Sequence, residues 1–135
     1  MRTTEKVRAE NVKFMARILI VEDDPALREV LQLTLGRAGH AVLAAADGRE
    51  AAALYRTKPL DLVVTDIYMP NTDGLEVLID LRAHHPTLKI IAISGQIVRG
   101  NMLPVAASLG ASRTLAKPFQ PHELINAVNE VLGLA

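Results

Sequence analysis

The chain has 135 residues, a length that fits one domain; half are hydrophobic and only 3% aromatic, so any core is aliphatic. Fifteen basic residues balance fifteen acidic ones, which gives no reason to expect nucleic acid or a charged membrane surface as a partner. Cysteine is absent, which excludes disulfides, thiolate catalysis and cysteine-ligated zinc; no apolar run nears the roughly 20 residues that span a bilayer, and the N-terminus lacks a signal-peptide core, so a soluble cytoplasmic protein is expected.

Residues 1–15 are polar and without strong periodicity, and read as a flexible N-terminal extension to a single domain over 16–135. "RILIV" (17–21) is a continuous apolar run, as expected of a strand buried on both faces. A helix follows over "DPALREVLQLTLGRAG". Asp24 suits its N-cap, Pro25 its first position and Gly39 its C-terminal cap; Leu27, Val30, Leu31, Thr34 and Leu35 are assigned to its apolar face. "AVLAAA" (41–46) is a weaker strand. "DGREAAALYRT" opens on Asp47 with Glu50 three residues later, a capping-box spacing.

"LDLVVTD" (60–66) is the third strand. "GLEVLIDLRAHH" (74–85) is a helix with Leu75, Leu78 and Leu81 on one side, stopped by Pro86. "KIIAIS" (89–94) is a strand, and "NMLPVAASLG" (101–110) a short helix that tolerates Pro104 only in its first turn. "SRTLAK" (112–117) is the fifth strand. "QPHELINAVNEVLG" (120–133) is the last helix, with Leu124, Ala127, Val128, Val131 and Leu132 along one face. Five strand–helix alternations imply a parallel sheet covered by helices on both faces. Right-handed crossovers favour a five-stranded, flavodoxin-like doubly wound α/β sheet of order 2-1-3-4-5.

In such sheets ligands collect beyond the carboxyl ends of the strands. Strand one ends in Glu22, Asp23 and Asp24, strand three in Asp66, strand four in Ser94 and strand five in Lys117. These strands are neighbours in the expected order, so their polar ends converge. Taken singly, Asp24 is a helix cap, Asp66 a turn former, Ser94 a turn hydroxyl and Lys117 a solvated strand end. Taken together they suit one site. Clustered carboxylates call for a hard divalent cation, Mg²⁺ first and then Mn²⁺ or Ca²⁺. A carboxylate beside it can accept a phosphoryl group, whose charge a lysine, a hydroxyl and the cation neutralise. The histidines (His40, His84, His85 and His122) lack metal-ligand spacing, and "GRAG" (36–39) follows a helix rather than a strand, so it is no dinucleotide fingerprint.

The motifs "ILIVEDDP", "DLVVTDIYMPNTDGLE", "IIAISG" and "LAKPF" resemble those of the receiver domain of two-component response regulators, from about Arg17 to the C-terminus. The resemblance implies that Asp66 is the phosphoacceptor. Asp23 and Asp66 then hold Mg²⁺ (or Mn²⁺) with the Tyr68 backbone carbonyl, and Glu22 acts mainly through water. Ser94 stands at the switch hydroxyl and Lys117 at the lysine that pairs with the phosphoryl group. The Lys117–Pro118 bond is often cis in this family. The implied donor is a histidine kinase or histidine phosphotransfer protein. The readout is an unknown downstream protein that senses the surface around Ser94 and the fourth helix. A homodimer through the last two helix–strand units is compatible, although no residue demands it. No direct contact with nucleic acid or membrane is expected.

Two positions depart from or qualify the pattern. Thr114 stands where the family often has an aromatic switch residue, so an aromatic swinging inward from there is excluded. Tyr68 and Gln96 flank the phosphoryl position, and Tyr68 is expected to hinder the hydrolytic water. Asp66 is expected to be exposed at the sheet's edge. The alternatives are a Mg²⁺-dependent phosphohydrolase, a receiver-like binding module without phosphorylation, and a flavin-binding domain. The first lacks a second acid at position 68, and "EDDP" repels a flavin phosphate. The sequence ends one helix after Lys117, which leaves open both a stand-alone receiver and one cut from a longer regulator.

Overall fold

The structure, a computed structural model, describes residues 16–69, 72–95, 103–108 and 110–134. Five strands, β1 (Arg17–Val21), β2 (Ala41–Ala45), β3 (Leu62–Asp66), β4 (Lys89–Ser94) and β5 (Arg113–Ala116), form one parallel sheet. Their order is β2-β1-β3-β4-β5, the expected doubly wound topology. The helices are α1 (Pro25–Arg37), α2 (Gly48–Tyr55), α3 (Gly74–His84), α4 (Leu103–Ser108) and α5 (Pro121–Leu132). A two-residue antiparallel ladder, Tyr68–Met69 with Thr72–Asp73, lies between β3 and α3. The proposed extension over 1–15, and residues 101, 102 and 109 of the expected 101–110 helix, fall outside the described residues, and Gly110 lies in a turn.

Alternation along the strands builds two aliphatic layers. Ile18 and Ile20 of β1, with Val64 of β3, pack on α1 and α5 through Leu31, Leu35 and Leu124. Leu19 and Val21, with Val63, pack on α2, α3 and α4 through Ala51, Leu78 and Ala106. Both layers are needed because a parallel sheet is apolar on both faces.

The helix starts follow the sequence signals. Asp24 Oδ1 accepts the amides of Ala26 (3.0 Å) and Leu27 (3.4 Å), and Pro25 stands at the first turn of α1. Asp47 accepts the Glu50 amide at 2.9 Å, while the Glu50 carboxylate accepts from Ala46 at 3.1 Å, one residue before the cap. Pro104 is in the first turn of α4. One assignment fails: Val30 is 49% exposed. The buried stripe of α1 runs through Leu31 and Leu35 with Leu27 half-buried, and Val30 lies about 100° around the helix from Leu31, on the solvent side.

Two polar links hold segments distant in sequence. Arg82 of α3 donates to the carbonyls of His85 (3.2 Å), Pro86 (2.8 Å) and Leu88 (2.8 Å), and across to Gly110 (2.6 Å) in the α4–β5 turn. Gly110 has φ +105°, a conformation that favours glycine, and a Cβ there would meet Arg82 Nε at 2.9 Å, so the arginine would have to shift. At the opposite end, His40 is buried in the α1–β2 turn, and its Nδ1 accepts the Ala16 amide at 3.1 Å. The ring proton is therefore on Nε2. Burial holds the His40 pKa below the ordinary 6.5.

Leu31→Ala is expected to cost about 3 kcal/mol, within the range for emptying a buried leucine site. The adjacent Val30→Ala should cost under about 0.5 kcal/mol; urea denaturation of the two variants measures the difference. A second expectation concerns pH. A depressed folded-state pKa means that the unfolded chain takes up the proton first, so the His40 contribution stands above pH 6.5 and declines as pH falls below it. His40→Asn keeps an acceptor oxygen near the Ala16 amide but does not titrate. Denaturation at pH 7 and pH 5 should show the wild type losing more stability than the variant; equal losses would contradict this role.

Candidate functional site

The carboxyl ends of β1, β3, β4 and β5 bring the polar residues together. Glu22 follows β1 directly, and its amide still donates to Ala45 of β2 at 3.0 Å. Asp66 is the last residue of β3, in register with Ile93 of β4. Ser94 closes β4 opposite Ala116, and its carbonyl accepts the Lys117 amide at 2.7 Å. The apolar strands thus fix the polar ends to within a residue's reach.

Glu22 is 1% exposed and Asp66 is 3% exposed. The expected exposed position of Asp66 is therefore wrong. β3 is the central strand of the sheet and all five of its residues are buried, so its terminal carboxylate lies below the rim. Burial of two carboxylates is tolerable only with a counter-charge. Lys117 supplies it: its Nζ donates to Glu22 Oε1 at 2.9 Å and forms a short hydrogen bond and ion pair with Asp66 Oδ2. Burial alone lowers the Lys117 pKa, but the hydrogen bonds and charges of Asp66 and Glu22 outweigh it and hold the ammonium above its usual range.

Asp23 completes the acid set. One ligand oxygen from each of Glu22, Asp23 and Asp66 lies within 4.8 Å of the others. Burial, then the hydrogen bond and negative charge of Glu22, push the Asp23 pKa up. An all-oxygen group that raises the pKa of its own member suits a hard divalent cation. Both Glu22 oxygens are engaged, Oε1 by Lys117 and Oε2 by the Asp24 amide at 3.1 Å. Asp24 itself is turned away to cap α1, as its sequence position suggests.

The remaining expected residues are placed unevenly. Ser94 is buried in the same strand-end group, its hydroxyl donating to the Gly95 carbonyl at 3.3 Å. Tyr68 opens the short ladder two residues past Asp66; its side chain and Gln96 lie outside the described residues. Thr114 is half-buried in β5, paired with Ala92. The Lys117–Pro118 peptide is cis. Sequence reasoning missed Arg28, whose Nη1 donates to the carbonyls of Glu22 (2.9 Å) and Asp23 (3.4 Å). No local signal marks it, because its partners are main-chain carbonyls of the preceding turn.

Removing one partner of a buried ion pair costs about 3–5 kcal/mol. A quarter of the Lys117 side chain is exposed, so Lys117→Met should fall at the low end, about 3 kcal/mol at pH 7. A raised lysine pKa gives stability that is complete below 10.5 and lost only as pH rises beyond it. Chemical denaturation at pH 7 should show this deficit, and a variant as stable as the wild type would contradict the pairing.

A family model for the response regulator receiver domain matches residues 18–129. The chain is 33% identical over 116 residues to the alkaline phosphatase synthesis transcriptional regulatory protein PhoP of Bacillus subtilis, covering 86% of this chain and 48% of PhoP. It is 34% identical over 116 residues to the chemotaxis protein CheY of Thermotoga maritima, covering 85% of this chain and 96% of CheY. A crystal structure of NtrX from Brucella abortus superposes with a TM-score of 0.83 at 31% identity, over 89% of this chain and 27% of NtrX. The chain thus spans about half the length of PhoP and nearly all of CheY. No helix among the described residues is long and apolar enough to cross a membrane. With the matched region covering the sheet from the second residue of β1 onward and the whole acid–lysine group, the chain belongs to the response regulator receiver domain family.

Proposed function

We propose that this chain is a phosphoacceptor signalling domain of a two-component system. In this reading a phosphoryl group passes from a phosphohistidine of a histidine kinase or histidine phosphotransfer protein to Asp66. The observation that carries the reading is the convergence of Glu22, Asp23 and Asp66 within 4.8 Å, bridged by Lys117. A carboxylate oxygen of Asp66 attacks phosphorus, a P–O bond forms, the P–N bond breaks, and the released imidazole nitrogen takes a proton from solvent.

The acid group fits Mg²⁺, with Mn²⁺ as a substitute, and the bound ion would supply charge neutralisation on the phosphoryl oxygens. Asp23, Asp66 and the Tyr68 carbonyl would hold it directly. Glu22, whose oxygens already accept from Lys117 and Asp24, would act through water. Lys117 loses its Asp66 partner oxygen on phosphorylation and turns to the phosphoryl group. The Ser94 hydroxyl exchanges its bond to Gly95 for one to the same group. The added charge, about −1.5 to −2 at neutral pH, thereby biases the segment after β4 toward a packing that a downstream protein reads. Such a domain is a signalling module whose chemistry is confined to its own Asp66, and it would operate in the cytoplasm.

Intact mass after incubation with acetyl phosphate tests this directly. A single phosphoryl adduct is expected with Mg²⁺, and none with EDTA or in Asp66→Asn. Absence of the adduct, together with no thermal stabilisation by beryllofluoride and Mg²⁺, would refute the phosphoacceptor reading and leave a binding module.

A further inference from the structure

Adjacent residues of a regular strand point their side chains, and likewise their carbonyls, to opposite sides. Glu22 and Asp23 break this rule. Their carboxylates both come within 4.8 Å of the Asp66 carboxylate, and their carbonyls both reach one nitrogen of Arg28, at 2.9 and 3.4 Å. The strand hydrogen bonding ends there: the Glu22 amide still pairs with Ala45, whereas the Asp24 amide bonds to the Glu22 side chain at 3.1 Å. The convergence of the two acids therefore requires a local turn of the chain. Arg28 is the side chain that ties that turn down.

We infer that Arg28 is a positioning residue for the cation site: its guanidinium, by holding the Glu22 and Asp23 carbonyls together, keeps both carboxylates aimed at Asp66. The inference rests on the proposed function, since it needs the acid group to bind a divalent cation. The anchor is firm. Arg28 lies in the first turn of α1, its own amide donates to Asp24 at 2.8 Å, and Asp24 caps the same helix. Loop and helix start are thus closed on each other at both ends. Arg28 also adds a positive charge beside the acids, and charge alone acts the other way, repelling a cation. Positioning and electrostatics hence predict opposite signs.

The test is the affinity for Mn²⁺ alone, read from the free-ion electron paramagnetic resonance signal, in the wild type, Arg28→Met, Arg28→Lys and Asp23→Asn. Arg28→Met removes charge and donors. Arg28→Lys keeps the charge but ends one bond short of the Nη1 that reaches both carbonyls, and lacks the planar guanidinium that fixes its direction. Positioning predicts roughly tenfold weaker binding in both Arg28 variants, as for loss of other groups that orient metal ligands. It also predicts faster hydrogen exchange at the Asp24 amide. A merely structural role lowers the melting temperature but leaves the affinity of the folded protein unchanged. Tighter or unchanged binding in Arg28→Met, or wild-type affinity in Arg28→Lys, would overturn the inference. Should Arg28→Met fold poorly, Arg28→Lys decides alone. A wild type that binds Mn²⁺ no better than Asp23→Asn would instead refute the metal part of the proposed function, and this inference with it.

Discussion

Everything at the functional end of this molecule depends on one ammonium shared by two buried carboxylates. Lys117 reaches from the end of β5 to Glu22 beyond β1 and Asp66 on β3, so three strands are joined by charge where their backbone pairing ends. Neither acid is tolerable at that depth alone, and the lysine stays charged because both acids are there. The aliphatic layers above and below fix the strand ends, and the strand ends fix the triad. A site built this way is under electrostatic tension. Three carboxylates share the one lysine, and Asp23, the acid without a direct lysine contact, has its pKa raised by burial first and by the hydrogen bond and charge of Glu22 next.

In the proposed function, that arrangement makes a cation and a phosphoryl group complementary ligands for the same strand edge. A divalent ion corrects the surplus of negative charge. A phosphoryl group restores it and gives Lys117 a new partner. In that reading the conformational consequence is carried by what touches the triad. Ser94 is the strongest candidate, since its carbonyl holds the Lys117 amide and its hydroxyl is only loosely bonded to Gly95. At the amino-terminal edge of the sheet, opposite the site, Arg82 ties the α3–β4 connection to the turn after α4 through Gly110. A change after β4 therefore meets a fixed point on its far side.

Much of this was legible in the sequence, for physical reasons that differ by element. β1, β3 and β4 are buried on both faces, so they read as unbroken apolar runs. β2, at the sheet edge with Leu43 partly exposed, reads weakly. Asp24, Asp47 and Pro25 mark helix starts because capping is local chemistry. The site was legible because topology places strand ends side by side. What the sequence hid is long-range. The exposure of Val30 depends on which stripe of α1 the sheet accepts. The burial of Asp66 depends on how far the central strand lies below the rim. Arg28 resembles any solvated arginine in a first helical turn until the fold shows two carbonyls turned toward it, and the Arg82–Gly110 link spans 28 residues.

The most direct test of the central claim is anomalous scattering from crystals grown with Mn²⁺. The account predicts one strong peak between Asp23 and Asp66, about 2.1 Å from an oxygen of each, with Lys117 still paired to one of the buried acids. A peak elsewhere, or none at this strand edge under saturating Mn²⁺, would contradict the claim that the acid–lysine group is a cation and phosphoryl site.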